Sequence, residues 1–410
     1  MISKLMFKNT FLFSFILLFS CGNSAKPKVE SQKLKVENIE TKLDFKTGAD
    51  NFEKYIPLLK NKKVGIVTNQ SGILTNKTHL VDFLLTEKIN IQKIYAPEHG
   101  FRGTADAGEV IKDGKDIKTG LPIISLYGNN KKPKPEQLAG IDVMVFDLQD
   151  VGARFYTYIS SLHYVMEACA ENNISLIVLD RPNPNGGIVD GPILEKEFTS
   201  FVGMHPIPVL HGMTIAEYAN MINGEKWLNP STSSGGQAQC KLTVIPCENY
   251  KRTMFYDLLV KPSPNLPNAQ SINLYASLCF FEGTNVSVGR GTEKQFQIYG
   301  SPYLNKGDFS FTPKPNEGAK DPTYNGKLCY GEDLTQIKPV NKLELKWLMK
   351  AYAETTDKSK FFNAFFTKLA GTKKLQEQIE KGISENDIRA SWQKGLNDFK
   401  EMRKPYLIYE

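Results

Sequence analysis

The sequence predicts an α/β protein in which a doubly wound, mainly parallel sheet forms the larger part and a smaller C-terminal α+β subdomain the rest. Three observations carry this reading. From about residue 60, short β-rich apolar runs alternate with helical periodicity. Those runs are apolar on both faces, as strands covered by helices on either side must be. After about residue 305 a Pro/Gly-rich stretch, Phe309 to Gly331, gives way to amphipathic helical patterns. With 410 residues, 41% hydrophobic and 23% charged, the chain can bury such a core, which excludes disorder and collagen-like repeats.

The elements follow in order. Residues 1–20 carry Lys4 and Lys8, then an apolar run from Phe11 to Phe19, and they end at Leu18-Phe19-Ser20-Cys21. This reads as an export signal, too short to span a membrane, and its end resembles a bacterial lipobox in which Cys21 is lipidated. The expected localisation is therefore an exported, membrane-anchored lipoprotein on the periplasmic face or cell surface. Residues 21–48, with six Lys, four acidic residues and little periodicity, read as a flexible tether. The main domain is expected over residues 49–305 and the subdomain over 306–410.

Within the main domain, Val64 to Thr68 reads as a buried strand, and Leu80, Phe83, Leu84 and Ile89 as a helical stripe starting near Thr78. Strands are expected over Ile91 to Ala96, Leu121 to Tyr127, Ile141 to Asp147 and Ser175 to Asp180, with a helix from Tyr156 to Asn172. Ile207 to His211 reads as a short strand or extended segment, Thr214 as the cap of a helix reaching Asn223, and Leu242 to Ile245 as one more strand. Four further helices are expected over Leu343–Thr355, Phe361–Leu369, Lys374–Lys381 and Ala390–Met402.

Charge and cysteines narrow the class. Of the formal net charge of +7, two charges belong to residues 1–20 and two to residues 21–48, leaving +3 on the remaining 362 residues. That is too small a footprint for a nucleic-acid partner. After Cys21 come Cys169, Cys240, Cys247, Cys279 and Cys329, with no C-x-x-C pair, so neither a zinc ribbon nor a thioredoxin-type centre is indicated. Buried thiols are the default reading, with Cys240 and Cys247 the nearest pair in sequence should one bridge form.

In open parallel α/β sheets ligands bind beyond the carboxyl ends of the strands. Four predicted strand ends deliver polar groups there: Glu98-His99-Gly-Phe-Arg102, Asp147-Leu-Gln149-Asp150-Val-Gly-Ala-Arg154-Phe-Tyr156-Thr-Tyr158, Asp180-Arg181-Pro-Asn183, and His211-Gly212. Any one of these could be a cap or an ion pair; together on one edge they suggest a site. Two loops are expected to reach it, the proline-rigid Pro262-Ser-Pro-Asn265-Leu-Pro and the glycine-rich Phe281-Glu282-Gly-Thr-Asn285-Val-Ser-Val-Gly-Arg290-Gly-Thr.

Nucleophile-elbow, dinucleotide, phosphate-loop and H-E-x-x-H motifs do not occur, and no cofactor is indicated. Carboxylates, amides, arginines and tyrosines are the equipment of glycoside hydrolysis, which needs an acid to protonate the leaving oxygen and normally a second carboxylate. The same residues leave two alternatives open. One is a non-catalytic lipoprotein that binds wall sugars. The other is a metal-dependent hydrolase using Asp147, Asp150, His99 and His211, although their spacing is not diagnostic.

The motifs quoted above, in that order and spread over a chain from about residue 50 to the C-terminus, resemble the exo-β-N-acetylmuramidase (NamZ-like) family of peptidoglycan hexosaminidases. The resemblance implies a Rossmann-like catalytic domain, a C-terminal domain completing the cleft, and release of N-acetylmuramic acid from non-reducing ends of peptidoglycan-derived muramyl saccharides. On that basis Glu98 is expected as general acid and Glu282 as second carboxylate, with Asp150 and Asp147 as alternatives. Arg102, Arg154 and Arg290 are candidates for the lactyl carboxylate, a bidentate task suited to Arg. His99, Gln149, Tyr156, Tyr158, Asp180, Arg181, Asn183, His211, Asn265 and Asn285 complete the expected sugar contacts. The oligomeric state is not legible in the sequence.

Overall fold

The computed structural model describes residues 45–101, 113–229 and 239–410. Cys21, the export signal, most of the tether and Arg102 lie outside the described residues. Ten strands are present: β1 (Lys63–Thr68), β2 (Asn90–Ala96), β3 (Gly114–Lys115), β4 (Pro122–Ser125), β5 (Val143–Asp147), β6 (Ser175–Leu179), β7 (Leu242–Ile245), β8 (Ile298–Ser301), β9 (Ser310–Phe311) and β10 (Cys329–Asp333) among the described residues. The helices are α1 (Phe52–Leu59), α2 (Leu80–Thr86), α3 (Pro135–Leu138), α4 (Tyr158–Glu171), α5 (Ile215–Gly224), α6 (Ala269–Leu278), α7 (Lys346–Glu354), α8 (Phe366–Ala370), α9 (Lys374–Glu380) and α10 (Glu385–Arg403).

The main sheet runs β3-β4-β2-β1-β5-β6-β7, and every pairing is parallel except β3 with β4. Its central strands are buried on both faces because their alternate residues enter two separate cores. Val67, Met144, Phe146, Leu176 and Val178 join one cluster, while Val64, Ile66, Val145, Ile177 and Leu179 join the other. The first cluster continues through α4 and α5 to Trp392 and Phe399 of the last long helix, so the C-terminal region packs into the same apolar interior. A three-stranded antiparallel sheet, β8-β10-β9, precedes helices α7 to α10 in the chain, and Lys350 of α7 pairs with Glu332 of β10. The expected doubly wound sheet and α+β C-terminal region are thus both present.

Local chemistry explains the helix starts. Thr214 accepts from the Glu217 backbone N–H at 3.3 Å while the Glu217 carboxylate accepts from the Thr214 N–H at 2.9 Å, a reciprocal cap for α5. In α10, Ile388, Trp392, Leu396 and Phe399 form the single buried stripe of an amphipathic helix. Other expectations shift. The helix expected from Phe361 is only α8, preceded by a turn in which Asn363 accepts from the Phe365 N–H at 2.8 Å. Ile207 to His211 forms no strand of its own; Leu210 makes single bridges to Ala153 and Asp190. Helices α1 and α6 and the short edge strand β3 were not expected from the sequence.

The body also begins earlier than the tether boundary at residue 48. Lys46 pairs with Glu248, and the Gly48 N–H donates to the Asp180 carbonyl at 2.8 Å. A side chain at Gly48 would meet the Ile245 carbonyl oxygen at 2.3 Å, so only glycine permits that approach. The strand order reverses at β1, which lies between β2 and β5. A crevice is therefore expected beyond the carboxyl ends of these three strands.

Candidate active site

A cavity of about 530 Å³ lies there, walled by Glu98, Tyr156 and Tyr158 from the strand-end segments and by Asn265, Glu282 and Arg290 from the two loops. Glu98 follows β2 in a turn where both His99 and Gly100 are left-handed, with φ of 70° and 73°. For a histidine that conformation is strained, and such strain persists where the surroundings over-determine it. Here the turn sets Glu98 on the cavity wall. Tyr127, just beyond β4, donates its hydroxyl to Glu98 Oε1 at 3.0 Å, and Thr157 donates to Oε2 at 3.1 Å. Hydroxyls donate to a carboxylate and can turn to accept from a carboxylic acid, so the same two neighbours suit both states of Glu98.

The aromatic wall is fixed by buried bonds. Tyr156 donates to the Pro262 carbonyl at 2.8 Å and packs edge-on against Tyr158 at 4.8 Å between ring centroids. Asn69, at the end of β1, donates to the Tyr158 hydroxyl at 2.6 Å. Asn265 uses its amide N–H on the Gly318 carbonyl at 2.6 Å, leaving its Oδ1 without a partner. Across the loop, Arg290 Nε donates to Glu282 Oε1 at 2.6 Å, and the Cys279 thiol approaches Glu282 Oε2 at 3.5 Å. Burial works against the charge on Arg290, but the adjacent Glu282 carboxylate outweighs it and raises the guanidinium above its usual value. No other Arg and no Lys lines the cavity among the described residues.

The remaining strand-end residues form a buried polar layer behind this wall. Arg181 makes a fork to Asp147 at 2.5 and 2.9 Å and donates to the Ile73 carbonyl. Asp180 accepts from Thr214, the Ala216 N–H and Tyr409, which ties the C-terminal strap to the sheet; burial pushes its carboxyl up to about 7. Asn183 donates to the Met213 carbonyl, and Gln149 to the carbonyls of Asp150 and Pro182. Asn285 lies outside the cavity lining, 3.5 Å from Thr355 Oγ1.

Arg154 faces away from the cavity. Its guanidinium donates to four backbone carbonyls, those of Pro192, Ile207, Leu369 and Ala370, and burial lowers it to about 9. The expected lactyl contact therefore falls, among the described arginines, to Arg290 alone.

Asp150 and His211 face each other at 3.7 Å, both buried, with Asp150 Oδ1 and His211 Nε2 unpartnered. Burial pushes Asp150 up to about 7 and His211 down to about 3, so the pair is neutral between those values. Neither lines the cavity, so Asp150 is placed apart from Glu98 and Glu282. The four residues weighed for a metal, Asp147, Asp150, His99 and His211, are divided among the Arg181 pair, the buried dyad and the cavity wall. Among the described residues no group of three or more His, Cys, Asp or Glu side chains is placed to hold a metal ion.

Sequence reasoning passed over Tyr127, Thr157 and Asn69. Tyr127 ends an expected strand, and applying the strand-end rule there would have found it. Thr157 stands inside the quoted motif.

Comparison with known proteins agrees along the whole body. The N-terminal profile of the exo-β-N-acetylmuramidase NamZ matches residues 64–270, and the C-terminal profile matches residues 273–409. A peptidoglycan β-N-acetylmuramidase NamZ from Bacillus subtilis (strain 168) is 38% identical over 411 residues, covering 94% of this chain and 95% of that protein. A crystal structure of a DUF1343 family protein from Bacteroides fragilis NCTC 9343 matches with a TM-score of 0.81 at 43% identity, covering 90% of this chain and 99% of that one. A second DUF1343 family protein from the same organism gives 0.75 at 30% identity, covering 90% and 100%. With both profiles matched and the cavity built from the motif residues, the chain belongs to the NamZ exo-β-N-acetylmuramidase family.

Proposed function

We propose that this protein is an exo-acting glycoside hydrolase that releases β-linked N-acetylmuramic acid from non-reducing ends of peptidoglycan fragments, with Glu98 as the acid/base. The observation that carries the reading is the Glu98 carboxyl group on the cavity wall, each oxygen held by a hydroxyl. Glu98 gives its proton to the leaving glycosidic oxygen as the bond to the anomeric carbon breaks. Water then replaces the leaving group at that carbon and returns a proton to the carboxylate, so free N-acetylmuramic acid and a shortened fragment leave.

Arg290 receives the lactyl carboxylate that distinguishes muramic acid from glucosamine. Its Nε is committed to Glu282, which aims the rest of the fork. Glu282 is the second cavity carboxylate and acts first by fixing that cation. Tyr156, Tyr158 and Asn265 contact the sugar. The lipobox-like Leu18-Phe19-Ser20-Cys21 supports export and anchoring through a lipid on Cys21. Cys21→Ser should abolish incorporation of labelled fatty acid and release the protein from membranes; unchanged labelling would refute the anchor.

The activity is tested with a synthetic β-N-acetylmuramic acid glycoside beside its N-acetylglucosamine counterpart. Release from the first and not the second is expected. Cleavage of the glucosamine compound alone would overturn the substrate assignment.

A further inference from the structure

A groove of about 600 Å³ shares its walls with the cavity. The same three segments build both. Ser263, Phe296 and Ala319 line the cavity, while their neighbours Pro264, Gln295 and Gly318 line the groove. Gln70 closes it from the end of β1, the same carboxyl edge that carries Glu98 after β2. The Pro262 carbonyl links the two spaces, accepting from Tyr156 of the cavity at 2.8 Å and from Gln70 of the groove at 3.2 Å.

The groove concentrates unpaired acceptors. Gln70 Oε1, Gln295 Oε1 and Asn316 Oδ1 are buried without a hydrogen-bond partner, and Gln295 is only 6% exposed. Two of these amides are oriented by their other end, since Gln70 Nε2 donates to the Lys261 and Pro262 carbonyls and Asn316 Nδ2 to the Thr292 carbonyl. Buried carbonyl oxygens are normally paired. Three in one groove call for an occupant rich in O–H and N–H donors. Leu259, 42% exposed, and Pro264 and Pro267 supply apolar faces suited to the C–H face of a pyranose ring. On the rim, Glu293 and Glu317 outnumber Lys261, which disfavours an acidic stem peptide and leaves a neutral sugar as the better fit.

We propose that this groove is a second saccharide subsite that holds one neutral N-acetylated hexosamine, the unit directly on the leaving-group side of the bond cut in the cavity. The inference rests on the glycosidase reading above. It makes the Asn265–Gly318 hydrogen bond the sill over which the glycan passes from one space to the other.

The test compares a monosaccharide β-N-acetylmuramic acid chromogen with a peptide-free tetrasaccharide bearing muramic acid at its non-reducing end. The proteins are wild type, Leu259→Ser and Gln295→Leu. Leu259 is exposed, so its variant keeps the fold even if Gln295→Leu loses it. The expected result is a KM for the tetrasaccharide raised about tenfold in the variants, with chromogen turnover unchanged. Unaltered tetrasaccharide KM in Leu259→Ser, or an equal rise on both substrates, overturns the subsite. So does an effect confined to a stem-peptide-bearing substrate, which would make the occupant a peptide. If wild type releases nothing from either substrate, the glycosidase reading itself falls, a result distinct from all of these.

Discussion

The cavity wall, built from strand-end segments and two loops, and the polar layer behind it, built from strand ends, use the same residue types to different chemical ends. In the layer the ion pairs and hydrogen bonds close within the protein: Asp147 with Arg181, Asp180 with Thr214 and Tyr409, Arg154 with four carbonyls. On the wall, Glu98 accepts from the Tyr127 and Thr157 hydroxyls and Arg290 gives its Nε to Glu282, and all of these residues line the cavity itself. Position at a strand end brings polar residues together; whether a side chain lines the cavity or is enclosed behind it separates site from scaffold.

The largest expected effect is on the layer. Arg181→Leu leaves the Asp147 carboxylate buried and unpaired, and urea denaturation should report a loss of about 3–5 kcal/mol. A loss below about 1 kcal/mol would mean that the pair is not structural. The matching change on the wall should spare the fold. Arg290→Lys keeps the charge but removes the fork, and KM for muramyl substrates should rise about 10- to 100-fold, in line with about 1.5–3 kcal/mol for a charge-assisted contact, with an unchanged urea midpoint. A shifted midpoint with unchanged KM would move Arg290 into the scaffold.

The Asp150–His211 pair gives a pH-dependent distinction. Its ordinary values are 3.8 and 6.5, and the folded values are about 7 and about 3. Between about pH 4 and 6.5 the unfolded chain carries one proton on His211 and the folded chain one on Asp150, so the pair adds no net slope to stability. In Asp150→Asn the folded pair carries none. Stability relative to wild type should then rise with pH across that window, by up to about 1.4 kcal/mol per pH unit. Parallel pH profiles for the two proteins would show that the pair does not share its proton in this way. The smallest effect is expected for Tyr127→Phe, which removes one hydroxyl from Glu98 and should lower kcat about fivefold, near 1 kcal/mol, without moving the urea midpoint.

Much of the fold was legible because the central strands are apolar on both faces and Thr214 announces its helix with Glu217 three residues on. Strand β3 was not, since two residues at an edge carry no periodicity. The wall residues Glu98, Tyr156, Tyr158, Asn265, Glu282 and Arg290 were legible as motif residues. Their separation from Arg154, Asp147 and Asp180 was not, because it depends on partners distant in sequence. Arg154 takes carbonyls from residues 192 and 207 and from 369 and 370. No local pattern around Arg154 encodes that cage. Tyr127 was a matter of applying the strand-end rule once more.

The central claim is that the carboxyl group of the cavity wall performs the chemistry. Its most direct test is the turnover of Glu98→Gln on a β-N-acetylmuramic acid chromogen, measured beside its urea midpoint. The expected result is a fall of about 10²–10⁴-fold in kcat with an unchanged midpoint. Turnover near that of wild type would contradict the account.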